Sequence, residues 1–300
     1  MKNFLIFMIF IILAIGGFFS WLFANESDGV PILVYHQVND IDKDQMTVTV
    51  EDFDAQMKYL IDNGYNIITP EELIDAWDSP ANTDNLNLDA VDASDDAASK
   101  IINLPPKPII ITFDDGYADI YKNVYPILQK YNIKVTLFAI TDYINLYPNY
   151  LTWAQARELQ SSGLVDIESH TLSHFNLIDA RLSNNELWNQ IYGSKQAIEW
   201  YLKKPVKFIA YPGGLYTREV EAMTQEIGYK GAFTVDYALS HREPQHFVLP
   251  RIAVFGNNSY PLLRFKVRLL GAPIIAPLNY FKEQMIKDGN GFLADLIWIP

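Results

Sequence analysis

The sequence of 300 residues has room for one sizeable domain, and its 49% hydrophobic and 20% charged residues are ordinary for a globular protein. It contains no cysteine, which excludes cysteine nucleophiles, thiolate metal sites and disulfides. The formal net charge of −13 argues against nucleic acid as a partner, because phosphate binding requires a cationic face.

The N-terminal segment predicts a membrane anchor. Phe4 to Phe23 is a run of 20 residues without a charge, and a helix of that length covers about 30 Å, the hydrocarbon thickness of a bilayer. We expect residues 1–24 to be an uncleaved single-pass anchor; the alternative is a signal segment cleaved near Ala24, which would give a secreted protein. Lys2 before the span and Glu26 after it predict a cytoplasmic N-terminus and an exported remainder in the cell membrane.

The next part of the chain predicts short strands and helices. Residues 31–36 and 65–68 have strand patterns, residues 51–62 have helical spacing, and a second helix begins after Thr69. Residues 78–104 contain six aspartates and few bulky apolar side chains. That composition is typical of an acidic surface insertion.

A regular alternation of strands and helices follows. Strands are predicted for residues 108–113, 134–140, 164–168, 206–211, 229–235 and 247–254, and helices for residues 117–131, 153–162, 183–203 and 217–227. This alternation predicts parallel βαβ units in an α/β domain of residues 30–255. We expect a distorted (β/α) barrel of seven or eight strands, with a doubly wound open sheet as the alternative. In a barrel, the chemistry lies at the C-terminal ends of the strands.

Two adjacent carboxylates, Asp114 and Asp115, follow the strand at 108–113 and precede Gly116. Carboxylates at the end of a buried strand are costly unless they are paired or bind a metal. Gly116 permits a sharp turn that frees both side chains for different tasks. The simpler interpretation is a capped helix start.

Two histidines, His170 and His174, follow the strand at 164–168. The His-x-x-x-His spacing is frequent among metal ligands because it places both imidazoles on one face of a turn. With one of the two aspartates, they form a ligand set that leaves a metal position open, as in catalytic zinc sites. The other aspartate is then free to act as a base, and water bound to such a metal becomes acidic enough to attack near neutral pH.

Two further strand ends carry candidate residues. Ala210-Tyr211-Pro212-Gly213-Gly214 follows a strand, and its glycines allow backbone N–H groups to approach a ligand closely, although taken alone this segment favours a plain strand–helix turn. His36 follows the first strand. A lone histidine near apolar residues is usually structural, but its place at another strand end favours a functional role.

Taken together, these residues resemble the polysaccharide deacetylases of carbohydrate esterase family 4. Thr112-Phe113-Asp114-Asp115-Gly116 matches the first motif of that family, and Ser169-His170-Thr171-Leu172-Ser173-His174 matches the second. The resemblance implies that Asp115, His170 and His174 bind a divalent metal, most commonly Zn²⁺, and that Asp114 is the general base. It also implies that Tyr211-Pro212-Gly213 contacts the substrate, with the Gly213 N–H stabilising the oxyanion.

The third motif departs from the family pattern, because Ala210 replaces the arginine that steadies the base in many members. Arg251 is the candidate substitute. The Tyr35-His36 pair and the Ala-Tyr-Pro-x-Gly form of the third motif resemble the permuted branch of poly-β-1,6-N-acetylglucosamine deacetylases. In that branch the acid histidine lies on the first strand, which implies that His36 is the general acid.

The resemblance implies metal-dependent hydrolysis of acetamido groups on N-acetylglucosamine units of a cell-surface or exported polysaccharide, and a barrel of the deacetylase type. Peptidoglycan and chitin oligomers are alternative substrates. A non-catalytic glycan-binding module on the same fold is another alternative. A glycosidase fits poorly, because its two carboxylates lie across the bond rather than side by side. Residues 256–300 form a basic and apolar tail that either packs on the domain or lies against an anionic membrane surface.

Overall fold

A computed structural model of the chain describes residues 16–17, 29–79, 102–242, 246–256 and 259–287. The expected membrane span, except for residues 16–17, and residues 80–101 of the expected acidic insertion lie outside this description. In the part of the chain that is described, no helix has both the length and the apolar character needed to cross a bilayer.

Short strands and amphipathic helices alternate along the described chain. The strands are β1 (Ile32–Tyr35), β2 (Gln37–Val38), β3 (Thr47–Val48), β4 (Asn66–Ile67), β5 (Pro108–Phe113), β6 (Val135–Ala139), β7 (Val165–Ser169), β8 (Phe208–Ala210), β9 (Gly231–Phe233) and β10 (Ile252–Ala253). The α-helices are α1 (Val50–Asp62), α2 (Pro70–Trp77), α3 (Tyr125–Tyr131), α4 (Trp153–Ser161), α5 (Asn184–Leu202), α6 (Arg218–Glu226) and α7 (Pro261–Lys287). A π-helical turn, Ile120–Val124, precedes α3, and a 3₁₀ turn, Pro212–Gly214, follows β8.

The main sheet is parallel and forms a half-barrel. Its order is β10-β1-β5-β6-β7-β8-β9, and β4 pairs with the N-terminal part of β5. Apart from β10, which lies beside β1, the order follows the chain without a reversal, so the doubly wound alternative is wrong. Phe233 at the end of β9 also bridges in parallel to Leu249, shortly before β10, so the two ends of the sheet approach each other. The carboxyl ends of the strands therefore converge at one rim.

Successive strand residues point into two different buried clusters, as the pleat requires. Ile110 belongs to a cluster that contains Phe138, Phe208 and Phe233 from neighbouring strands. Its chain neighbour Ile111 belongs to the larger cluster, which includes the buried residues of the helices. This alternation places Thr112 and Asp114 on the same side of the chain as Ile110, facing into the half-barrel.

Local sequence signals define several helix starts. The Thr69 hydroxyl accepts from the N–H of Glu72 while the Glu72 carboxylate accepts from the N–H of Thr69, a capping box that begins α2. The same arrangement begins α4 and α5. The predicted helix at 117–131 instead begins with a π turn, in which the N–H of Tyr125 donates to the carbonyl of Ile120. Pro126 follows directly, and its missing N–H prevents the regular α-helical bond there.

The C-terminal part differs from the prediction in one strand and defines the tail. Residues 247–254 give only the two-residue strand β10 and the bridge at Leu249, because Pro250 interrupts the ladder between them. In the tail, α7 buries Phe265, Leu269, Ala272 and Ala276, which lie on one helical face. This helix therefore packs on the domain.

Candidate active site

Three potential metal ligands meet at the carboxyl rim of the sheet. Asp115 follows β5, and His170 and His174 follow β7. The Nε2 atom of His170 lies 3.5 Å from Asp115 Oδ1, and the Nε2 atom of His174 lies 3.8 Å from the same oxygen. Each of the three residues has one potential ligand atom that lies within 4.8 Å of those of the other two. The predicted trio is therefore brought together by the fold.

The two histidines are placed by loop geometry rather than by a helix. Thr171 and His174 adopt positive φ angles of 66° and 58°, which fold the chain back on itself. The Thr171 hydroxyl accepts a hydrogen bond of 3.1 Å from the N–H of His174. At the other end, the N–H of His170 donates to the carbonyl of Ala139 at the end of β6, over 2.9 Å. The imidazole centroids consequently lie 4.8 Å apart.

The tautomer of His170 suits metal binding. Its Nδ1 atom lies 2.8 Å from the carbonyl oxygen of Ala210. A carbonyl oxygen can only accept, so Nδ1 carries the proton and Nε2 keeps a free lone pair toward Asp115. The backbone of the third motif thus orients a ligand of the second motif.

Protonation states in the cluster also fit a metal. Burial lowers the pKa of His170 to about 4 and lowers the pKa of His174, so both imidazoles are neutral at neutral pH. Burial raises the pKa of Asp115 to about 6, which leaves most of it ionised. Two neutral imidazoles and one carboxylate are the donor set of an open zinc-type site.

Asp114 is held by a buried arginine. Arg251 donates from Nη1 to Asp114 Oδ1 and from Nη2 to Oδ2, each over 2.7 Å. The Arg251 side chain is 0% exposed and that of Asp114 is 2% exposed. Burial alone raises the pKa of Asp114, but Arg251 and then His170 outweigh it and hold the pKa at about 2. Arg251 therefore lies against the residue that the sequence predicts to be the base.

The arginine itself is fixed by further acceptors. Its Nε donates to the carbonyl of Thr234 over 2.8 Å, and Nη1 also reaches the Thr112 hydroxyl over 3.2 Å. The guanidinium lies 5.6 Å from the ring centroid of Phe138. With these partners the planar fork has one orientation, which fixes the plane of the Asp114 carboxylate. Asp114 Oδ2 lies 4.0 Å from Nε2 of His170, beside the ligand cluster.

His36 lies at the same rim. It follows β1 and is half-buried, and its imidazole interacts electrostatically with Asp115 and Asp114. Asp119 fixes the segment after it, because its Oδ2 accepts from the N–H of Val38 over 2.9 Å and from the side chain of Asn39 over 3.1 Å. Asp119 was not among the residues predicted from the sequence, because its contacts with Val38 and Asn39 join segments about 80 residues apart.

The third motif forms the tight turn predicted from its glycines. Gly213 is exposed, with a φ of 60°, and occupies the second position of the 3₁₀ turn, where a backbone N–H has no partner within the turn. Gly214 has a φ of 70°, and a Cβ there would lie 2.6 Å from the backbone nitrogen of Val235. Gly214 therefore requires glycine, and the positive φ of Gly213 favours it.

The side chain of Tyr211, which was expected to contact the substrate, is buried in this structure. Its side chain is 0% exposed and its ring stacks on Tyr216 with a centroid distance of 5.3 Å. Its N–H donates to the carbonyl of Phe233, and Pro212, which has no N–H, is also buried. Tyr211 supports the turn from beneath, and Gly213 is the member of this motif that remains accessible.

The arrangement can perform hydrolysis at a polarised carbonyl. It combines a donor set for one divalent ion, a neighbouring carboxylate that stays ionised, an accessible glycine N–H and an imidazole at the end of the neighbouring strand β1. These are the parts that acyl-transfer chemistry requires: activation of water, a base, an oxyanion donor and an acid.

Comparison with known proteins gives one family. Residues 102–232 match the polysaccharide deacetylase family. A Bacillus subtilis protein assigned to the polysaccharide deacetylases, YxkH, is 29% identical over 78% of this chain and 75% of its own. The poly-β-1,6-N-acetyl-D-glucosamine N-deacetylase of Staphylococcus aureus is 28% identical over 50% of this chain, and this match spans only 55% of the staphylococcal enzyme.

A solved structure agrees. The Streptococcus pyogenes deacetylase PplD, determined in complex with acetate, superposes with a TM-score of 0.66 at 25% identity, covering 81% of this chain and 97% of that one. The motifs, the assembled site and these similarities lead to one conclusion: residues 102–232 lie in a polysaccharide deacetylase domain, and the members of that family are hydrolytic N-deacetylases.

Proposed function

We propose that this protein removes acetyl groups from N-acetylglucosamine units of a cell-surface or exported polysaccharide in a reaction that depends on a divalent metal, most commonly Zn²⁺. The observation that carries the proposal is the assembly of Asp115, His170 and His174 beside the Asp114–Arg251 pair at the strand ends. Poly-β-1,6-N-acetylglucosamine is the proposed substrate, since the staphylococcal relative is named for that polymer. The −13 net charge suits a neutral glycan that becomes cationic on deacetylation.

A divalent ion held by Asp115, His170 and His174 would supply the Lewis acidity that polarises the acetamido carbonyl and acidifies the attacking water. Asp114 accepts the proton of that water. Its salt bridge with Arg251 keeps the carboxylate ionised near neutral pH and fixes its orientation.

Two groups on other strand ends complete the reaction. As the carbonyl carbon becomes tetrahedral, the N–H of Gly213 donates to the oxygen that gains negative charge. His36 donates a proton to the nitrogen as the C–N bond breaks. The products are acetate and a glucosamine unit, which takes up a proton in water.

We also propose that Phe4–Phe23 anchors the chain in the cell membrane with the catalytic domain outside. The uncharged run of 20 residues and the charges on either side of it support this placement. The catalytic domain would then bind the polymer at the cell surface.

Acetate release tests the proposal. The full-length protein, purified in detergent, is incubated with poly-β-1,6-N-acetylglucosamine, peptidoglycan and chitin oligomers, with and without a chelator. We expect chelator-sensitive acetate release that is fastest from poly-β-1,6-N-acetylglucosamine. Release only from peptidoglycan or chitin would reassign the substrate, and no release from any of them by metal-loaded protein would favour a glycan-binding module.

A further inference from the structure

A row of tyrosines extends outward from the active site. It consists of Tyr117, which follows the first motif, and Tyr143, Tyr147 and Tyr150, which lie in the loop after β6. We call these four residues the tyrosine ridge. Nothing in the hydrolytic mechanism uses them, although four tyrosines beside a hydrolytic centre are an unusual concentration of amphipathic side chains.

The loop that carries the ridge is tied to both metal-binding segments. The N–H of Ile140 donates to the carbonyl of Asp115 over 3.1 Å, and the N–H of Leu151 donates to the carbonyl of Gly116 over 3.0 Å. On the other side, the N–H of Asp142 donates to the carbonyl of Leu172 over 2.9 Å. The loop is therefore part of the wall of the site and shares its rigidity.

The rings form successive contacts leading away from the ligand cluster. The Tyr117 hydroxyl interacts with the side chains of Asp115, Gln37 and Tyr150, so it lies at the inner end, next to a metal ligand and beside the residue after His36. Tyr117 and Tyr150 stack with centroids 4.7 Å apart.

The outer half of the ridge continues at the same spacing. Tyr143 meets Tyr150 edge-on with centroids 5.0 Å apart, and Tyr147 meets Tyr143 edge-on at 5.1 Å. Along this path burial decreases: Tyr117, Tyr143 and Tyr150 are half-buried, whereas Tyr147 is 45% exposed. Leu146 beside it is 62% exposed. The outer end of the ridge is therefore open to solvent, as a surface that contacts a ligand must be.

This geometry suits a sugar chain. A tyrosine presents an apolar face and edge, which complement the C–H faces of a pyranose ring, and a hydroxyl that can donate to or accept from sugar hydroxyls. The side chains of the ridge carry no formal charge, as expected for contact with a neutral N-acetylated polymer. The row of four rings extends over a greater length than one sugar unit, so it can contact more than one unit of a chain.

We propose that the tyrosine ridge binds the N-acetylglucosamine units adjacent to the unit that is deacetylated, so that the enzyme acts on polymers in preference to single sugars. This inference rests on the proposed function for its substrate class. Tyr147, the most exposed member, contacts the sugar unit farthest from the metal site. Tyr117 and Tyr150, nearer the metal site, position the unit adjacent to the one that is deacetylated.

The test compares Tyr147→Ala with Tyr192→Ala in the full-length protein. Tyr192 lies on α5, is 37% exposed and serves as a matched control outside the ridge. Acetate release is measured on β-1,6-linked N-acetylglucosamine oligomers of one to five units. We expect Tyr147→Ala to raise KM for the longest oligomers about three- to tenfold, as the loss of one aromatic contact implies, with kcat on the single sugar unchanged. Tyr192→Ala should match the wild type at every length.

Two kinetic outcomes would overturn the proposed role of the ridge. One is identical kinetics of Tyr147→Ala and wild type at every oligomer length. The other is an equal loss at every length, which would indicate a structural role. Calorimetry measures binding of the five-unit oligomer to the metal-free protein. It therefore tests the ridge independently of the reaction. If the metal-loaded protein releases no acetate but Tyr147→Ala still weakens binding to the metal-free protein, the ridge is retained and the proposed function is rejected. Equal binding would reject the ridge.

Discussion

The salt bridge between Arg251 and Asp114 allows a quantitative prediction. Arg251→Gln leaves a carboxylate that is 2% exposed without its cation. Removing one partner of a buried ion pair costs about 3–5 kcal/mol. The pKa of Asp114 gives a second figure: its fall from 3.8 to about 2 corresponds to about 2–3 kcal/mol at 1.36 kcal/mol for each pH unit. We therefore expect Arg251→Gln to lower the free energy of unfolding by about 2–5 kcal/mol.

Urea unfolding of the metal-free wild type and variant near neutral pH measures this loss. The pH dependence follows from the sign of the shift. Because the folded pKa of Asp114 lies below its unfolded value of 3.8, the stabilisation is present above that value and is lost as the pH falls through about 2. The difference between wild type and Arg251→Gln should therefore narrow across that acidic range.

Activity provides an independent check of the same contact. In Arg251→Gln, burial of Asp114 is no longer opposed by Arg251, so its pKa rises and the base becomes protonated at a higher pH. The acidic limb of the kcat/KM profile should move to higher pH, and Arg251→Lys, which keeps the charge but not the two-pronged contact, should move it less. An unchanged limb together with a loss of stability below about 0.5 kcal/mol would refute this account of Asp114.

Three further substitutions test the roles assigned to individual residues. Asp114→Asn should lower kcat by about 10²- to 10⁴-fold, as loss of a general base implies, while metal content measured by atomic emission stays at the wild-type level; loss of metal would show that Asp114 is a ligand. His36→Gln should slow amide hydrolysis strongly and hydrolysis of an activated aryl acetate weakly, because only the amine needs a proton to depart; equal losses on both would remove His36 from the acid role. Gly214→Ala should destabilise the protein by about 1–3 kcal/mol in thermal unfolding, because its Cβ would lie 2.6 Å from the Val235 nitrogen; a wild-type melting temperature would contradict the tight turn.

The position of the site could be predicted from sequence because parallel strands end at a common rim. Asp115 and His170 are more than 50 residues apart in the chain, yet each directly follows a buried strand, and the fold brings them to 3.5 Å. The replacement of the family's usual arginine by Ala210 also led to a prediction. A buried base without its usual partner requires a cation from elsewhere, and Arg251 supplies it from the last strand segment.

Other features depended on tertiary contacts that no local pattern contains. Tyr211 carries a polar hydroxyl in a motif associated with substrate, yet stacking on Tyr216 turns it beneath the turn. The tyrosine ridge is scattered between Tyr117 and the loop after β6, and only the pairing of these two segments reveals it as one surface. The strand at 247–254 was overestimated because its apolar pattern outweighed the effect of Pro250.

Metal titration of the apo protein tests the central claim most directly. The full-length protein is stripped with a chelator, Zn²⁺ is returned in steps, and bound metal and acetate release from poly-β-1,6-N-acetylglucosamine are measured together. We predict that activity rises in proportion to occupancy until about one ion is bound per chain, as a single Asp-His-His site implies, and that His174→Ala loses both the ion and the activity. Full activity in the stripped protein, or wild-type metal binding by His174→Ala, would contradict the assignment of this site.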